Sequence, residues 1–78
     1  MRRTIQFHVW RGERFYVAQA ADVPIVTQGG TLDEVASNIK EAVALYLQGE
    51  DLDSLGFAAD PQVLVSFELA PDAVHAQA

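Results

Sequence analysis

The sequence predicts an α+β domain in which one helix packs on a mainly antiparallel four-stranded sheet, in the order β-β-β-α-β. Residues 4–20 alternate between apolar and polar side chains around a turn at Gly12, which is typical of an antiparallel hairpin. Residues 32–47 repeat apolar side chains with the helical period of 3.6. Residues 62–69 alternate again. Runs of strands that flank a single amphipathic helix indicate two layers around one core.

The first two strands should carry apolar side chains on the face that contacts the helix. In residues 4–11 that face holds Ile5, Phe7 and Val9, and in residues 14–20 we expect it to hold Phe15 and Val17. The opposite face is then predicted to hold three larger amphipathic side chains: His8, Trp10 and Tyr16. Residues 24–28 form a short third strand, where a proline is tolerated at the start or on an edge.

The helix is predicted from Thr31 to Gln48. Thr31 is a good N-cap, and Glu34, three residues later, completes a capping box. Gly49 is the expected stop. The apolar stripe is made of Leu32, Val35, Ala36, Ile39, Ala42, Val43, Tyr46 and Leu47.

The remaining elements complete the sheet. The connection over residues 50–61 is expected to contain one helical turn that buries Leu52 and Leu55. The last strand, residues 62–69, places Phe67 on the helix-facing side. We expect residues 1–70 to form the domain and residues 71–78 to be a disordered tail.

Composition limits the function classes. The 78 residues make one domain, half of them are hydrophobic, and cysteine is absent, which excludes disulfides and thiolate metal sites. The N-terminus lacks the continuous apolar stretch of a signal peptide, and no apolar run approaches the length of a membrane span. These features indicate a cytoplasmic protein with no membrane partner.

The charge is strongly acidic and uneven. The formal net charge is −6, yet the first fourteen residues contain Arg2, Arg3, Arg11 and Arg14. Beyond them Lys40 is the only cation against ten acids. Nucleic-acid binding normally requires a basic surface, so the charge argues against direct DNA binding and favours a basic protein partner. A purely solubilising role for the acids is the equal alternative on charge alone.

The Gly29-Gly30 pair before the helix raises the possibility of a phosphate loop. A Walker-type loop needs more residues between its glycines and a lysine at the helix start, whereas this helix starts with Asp33 and Glu34. Two carboxylates would repel a phosphate. We therefore interpret the glycines as a tight turn that requires positive φ.

Enzymatic and metal sites have equally weak sequence support. The two histidines, His8 and His75, are far apart in the pattern, and Asp51 and Asp53 lack a glycine-spaced ligand loop. The strands offer only Glu68 as a carboxylate for a nuclease site. We expect no catalytic residue, cofactor or metal, and interpret the chain as a binding protein rather than an enzyme.

The aromatic residues suggest a contact surface. Trp10 and Tyr16 commonly anchor interfaces, so their predicted shared face is a candidate for oligomerisation. An ordinary, partly exposed sheet face is the alternative. Stacking of single-stranded RNA on the rings is also conceivable, but the acidic remainder of the chain argues against it.

The segment FYVAQAADVPIVTQGGTLDEVASNIKEAVALYL, residues 15–47, resembles the HicB-like antitoxin family. Members have a strand hairpin, an Asp-x-Pro break, a Thr-x-Gly-x-Thr turn and a helix of the type T-x-x-E-A-x-x-N-x-x-E-A-h-x-x-Y-L. The matching positions are Asp22, Pro24, Thr27, Gly29, Thr31, Glu34, Asn38, Glu41, Ala42, Tyr46 and Leu47. The spacing matches without gaps, and the resemblance covers roughly the first fifty residues.

The resemblance implies a degraded RNase H-like fold and a role as antitoxin. Such domains bind and block a small basic mRNA-cleaving toxin, HicA, and often form dimers or tetramers. We expect its toxin contacts at Asp22, Asp33, Glu34 and Glu41. Many members also carry a C-terminal DNA-binding segment, for which the nine residues after Leu69 are too few. The alternative is a stand-alone HicB-like oligomer with no toxin, or a nucleic-acid-binding module.

Overall fold

A computed structural model of the chain describes residues 2–49 and 51–69. It contains a four-stranded sheet of order β3-β2-β1-β4, one long helix and one short helix. The elements are β1 (Arg2–Arg11), β2 (Tyr16–Ala20), β3 (Val26–Gly29), α1 (Leu32–Leu47), α2 (Leu52–Leu55) and β4 (Phe57–Phe67). The predicted α+β class and element order are confirmed, with α2 as the expected turn in the connection. The predicted tail lies outside the described residues.

The sheet is mixed. β1 pairs with β2 and β2 with β3 in antiparallel fashion, whereas β1 and β4 are parallel. A parallel neighbour requires a crossover, which α1 and α2 supply between β3 and β4. β3 and β4 are therefore the two edges of the sheet.

The helix forms where the apolar period predicts it. Val35, Ile39 and Val43 are buried, one helical turn apart. The predicted N-cap is confirmed, because the Thr31 hydroxyl accepts a hydrogen bond from the Glu34 N–H at 3.0 Å. Gly49, with φ of 72°, follows the last turn as predicted.

The second strand has the opposite orientation to the one predicted. Ala18 lies opposite Val9 and Ala20 opposite Phe7, and these four side chains are buried under the helix side of the sheet. Val17 instead faces away from the helix, opposite Trp10. The prediction favoured the larger apolar side chains as core. It was wrong because α1 lies closest to β2 and β3, where small side chains fit.

The predicted pairing of Trp10 with Tyr16 on one face is wrong for the same reason. Tyr16 lies opposite Arg11 on the helix side and packs against the core, while Trp10 is on the other face. The Arg11 guanidinium lies over the Tyr16 ring, 5.1 Å from its centroid. The two aromatic residues therefore do not form one surface patch.

Three phenylalanines were predicted in the core, and one of them is there. Phe7 is fully buried, but Phe15 lies outside β2 in the hairpin loop and is 43% exposed. Phe67 has the predicted facing and is 44% exposed. The second buried phenylalanine is Phe57, because β4 begins there, five residues before the predicted start.

Gly29 and Gly30 form the predicted tight turn without the predicted positive φ. Among the described residues only Gly49 and Gly56 have positive φ. A Cβ on Gly29 would lie 2.6 Å from the Val35 nitrogen and 2.9 Å from its Cα. Glycine is thus required at position 29 because the strand and the first helical turn touch through their backbones.

Candidate functional site

The corner between β3 and α1 fixes the position of the helix. Thr31 caps the helix, and the Glu34 carboxylate accepts a hydrogen bond from the Gly30 N–H at 2.6 Å. This is a capping box shifted by one residue, since the expected partner was the N–H of Thr31 itself. One turn later the Asn38 amide donates to the Gln28 carbonyl at 2.7 Å and fastens α1 to the edge strand.

This corner gives Glu34 a structural role that its toxin-contact prediction did not include. Replacing Glu34 with alanine removes the acceptor for Gly30 and a carboxylate from the first turn of the helix. We expect a loss of about 1 kcal/mol in the free energy of unfolding, or about 4–8 °C in melting temperature. Glu34→Gln keeps an acceptor oxygen and should lose less than half of that. Equal losses by thermal melting would show that the hydrogen bond contributes nothing.

The exposed face of α1 carries three of the four predicted partner-binding acids. Asp33, Glu34 and Glu41 are all exposed. Glu34 and Glu41 are seven residues apart and lie on one side of the helix, about 10 Å from each other along its axis. The side chains of Asp33 and Glu41 form no hydrogen bond or ion pair with any residue that the structure describes. Lys40 is the only cation on the helix. We call Asp33, Glu34 and Glu41 the helix acids.

Leu45 extends this surface and was missed from the sequence. It lies one turn beyond Glu41 and is 63% exposed. Leu45 lies outside the apolar stripe that is buried, so the helical period alone could have predicted that this leucine is exposed. An exposed leucine beside a carboxylate row suits a contact with a mixed apolar and basic surface.

Asp22 is not part of this group. It lies in the connection between β2 and β3, at the opposite end of β3 from the start of α1. It is exposed and interacts within the folded chain.

The face of the sheet away from the helix has a different character. Its residues are Thr4, Gln6, His8, Trp10, Val17, Gln19, Val26, Gln28, Gln62, Leu64, Ser66 and Glu68. Only two of them can be charged, and these two contact each other, with His8 Nε2 lying 3.1 Å from Glu68 Oε2. The His8 ring also stacks on Trp10 at a centroid distance of 5.9 Å. We call this surface the open face.

The arginines do not form a single basic surface. Arg3 is near the start of β1 and Arg11 at its end, so the eight residue steps from one to the other span about 26 Å. Arg14 lies in the hairpin loop beyond Arg11. A nucleic acid would have to extend along the whole strand to contact both ends.

The part of the chain that the structure describes contains neither a cluster of metal ligands nor a membrane-spanning helix. No group of three or more His, Cys, Asp or Glu side chains within residues 2–49 and 51–69 could hold a metal ion. Within the same ranges, neither helix has the length and apolar character needed to cross a membrane.

Comparison with known proteins does not place the chain in a family. No family model matches the sequence, and neither a curated protein nor a solved structure matches it.

Proposed function

We propose that this protein is a cytoplasmic, antitoxin-like binding module that neutralises a small basic mRNA-cleaving toxin by protein–protein contact. The observation that carries the proposal is the separation of charge between two surfaces. The helix acids project from the exposed side of α1, whereas the open face holds one carboxylate that is engaged by His8. A basic partner is therefore attracted to the helix side of the domain.

The proposed fold relationship is to HicB-like domains, which are degraded RNase H-like scaffolds. The T-x-x-E segment of the family pattern corresponds to the helix cap made by Thr31 and Glu34. The asparagine of the pattern corresponds to Asn38, which donates a hydrogen bond to the Gln28 carbonyl. These residues thus have local structural reasons for their spacing. The proposed assembly is a homo-oligomer, either a dimer or a tetramer.

Charge reversal on α1 tests the proposed contact. In the double variant Asp33→Lys/Glu41→Lys both positions are exposed and neither side chain bonds to another described residue, so folding should be kept. We expect its affinity for the proposed small basic toxin to fall at least 100-fold, by about 1.4 kcal/mol or more per reversed charge. Titration calorimetry at two salt concentrations measures the loss.

The matched controls are single reversals at Glu13 and at Glu41. Glu13 is an exposed acid in the hairpin loop between β1 and β2, and so is not on α1. Glu13→Lys should change affinity by less than threefold, whereas Glu41→Lys alone should lower it about tenfold or more. An equal loss for Glu13→Lys would mean that net charge acts, rather than a contact on α1.

Direct nucleic-acid binding is the second candidate, favoured only by Trp10 and His8 stacked on the open face near the arginine-bearing hairpin. It would show a steep salt dependence and would need Arg2, Arg3, Arg11 and Arg14. The purified protein should be inert on RNA alone if it acts as an antitoxin.

A residual nuclease would instead need a divalent metal and would lose activity in Glu68→Ala.

A further inference from the structure

The two edges of the sheet differ in how they are protected. β3 has four residues, starts just after Pro24, and has its Gln28 carbonyl bonded by Asn38. Short strands, nearby proline and cover by a helix are the usual means of blocking edge-to-edge pairing. β4 is the longest strand, with eleven residues. Its first part contains Pro61 and a shift in its register with β1, whereas Gln62–Phe67 pairs regularly with β1 and contains no proline and no charged side chain. β4 is therefore the edge that can accept another strand.

The helix side of β4 also has incomplete cover. Val63, Val65 and Phe67 point to the same side as Ile5, Phe7 and Val9 of β1. The β1 residues are buried, but Val63 and Val65 are half-buried and Phe67 is exposed, since α1 packs on the same face over β2 and β3. We call Val63, Val65 and Phe67 the β4 row. It is a partly exposed apolar row along an edge strand whose backbone can pair with another strand.

We infer that β4 pairs antiparallel with β4 of a second copy, giving a two-fold dimer with one continuous eight-stranded sheet. Residues opposite each other in an antiparallel pair lie on the same face. Under the two-fold axis the β4 row therefore meets the partner's β4 row in every register that keeps the faces aligned. Apolar side chains then pack only on apolar side chains, which makes the strand complementary to itself.

Charge favours a second copy over the basic partner at this edge. Each chain has a formal net charge of −6, so two copies repel each other at most surfaces. The Gln62–Phe67 segment is uncharged, and the helix acids lie on α1, which packs nearest the opposite edge. The Gln62–Phe67 segment offers a basic toxin no charged side chain to contact. The inference refines the oligomer part of the proposed function and requires no toxin.

Matched phenylalanine variants test the inference by sedimentation equilibrium. Phe67 and Phe15 are equally exposed, at 44% and 43%, but only Phe67 belongs to the β4 row. At tens of micromolar, wild type and Phe15→Lys should have the mass of two chains and Phe67→Lys the mass of one. A monomeric wild type, with the edge covered by residues 70–78 or by nothing, would overturn the inference, as would a dimeric Phe67→Lys.

Spin labels provide a second test that does not depend on a disruptive substitution. The chain has no cysteine, so Leu64→Cys on β4 and Val26→Cys on β3 each add one labelling site per protomer. Both residues are exposed, at 55% and 64%, on the open face. The β4–β4 dimer predicts label distances below about 25 Å at position 64 and about 34 Å or more at position 26, because seven strand spacings separate the two β3 strands. A short distance at 26, or a long one at 64, would overturn the inference.

Discussion

Ile39→Asp is expected to unfold the protein at room temperature. Ile39 is 1% exposed in the middle of α1 and packs in the cluster that includes Phe7 and Val35. An aspartate there loses the buried apolar contacts and places a carboxylate among groups that cannot pair with it, which costs roughly 4 kcal/mol or more. A domain of 78 residues has a total stability of roughly 4–12 kcal/mol. Circular dichroism should show loss of the cooperative thermal transition.

Leu45→Asp is the control for Ile39→Asp, because it introduces the same charge in place of an apolar side chain on the same helix. Leu45 is exposed, so its stability should change by about 0.5 kcal/mol or less. Near-normal melting of Ile39→Asp would contradict the packing of the helix on the sheet. Unfolding by both variants would show that charge on α1, and not burial, is responsible.

Gly29→Ala is expected to be the most damaging single-methyl change in the chain. The new Cβ would lie within 3.0 Å of the Val35 nitrogen, the Val35 Cα and the Glu34 carbonyl carbon. All three are backbone atoms that cannot rotate away, so the first turn of α1 must move off the strand. We expect a loss of about 2–4 kcal/mol, measured by urea denaturation.

Gly30→Ala supplies the comparison one residue later. Its Cβ would meet only the flexible end of Glu34 at 3.6 Å, and its φ is not in the left-handed region. We expect no loss, and a gain of up to about 1 kcal/mol from the reduced entropy of the unfolded chain. Similar losses at both positions would instead point to a general need for glycine in this turn.

The helix and the element order could be predicted from the sequence alone, and the reason is physical. The α1 stripe and its cap are local patterns, in which residues three and four apart determine burial and capping. The cap at Thr31, the burial of Ile39 and the positive φ of Gly49 therefore follow from residues nearby in the chain.

The facing of β2 could not be predicted in the same way. Two apolar sets, Phe15 with Val17 and Ala18 with Ala20, satisfy the alternation equally well. The choice depends on how closely α1 approaches the strand, which is set by tertiary packing and by Gly29. The misplacement of Tyr16 has this cause, whereas Asp22 is separated from the helix acids because it precedes β3 and α1 follows that strand. Charge composition predicted that this chain has an acidic surface for a basic partner. Only the folded chain shows that the helix acids and the open face are separate surfaces.

Growth of cells that carry the neighbouring gene tests the toxin-binding proposal most directly. The proposal predicts that a small basic protein encoded beside this chain arrests growth and cleaves mRNA when expressed alone. Co-expression of wild type or Glu13→Lys should restore growth, and co-expression of Asp33→Lys/Glu41→Lys at the same protein level should not. A neighbour that is harmless alone, or rescue by the double variant equal to that of wild type, would contradict neutralisation through the helix acids.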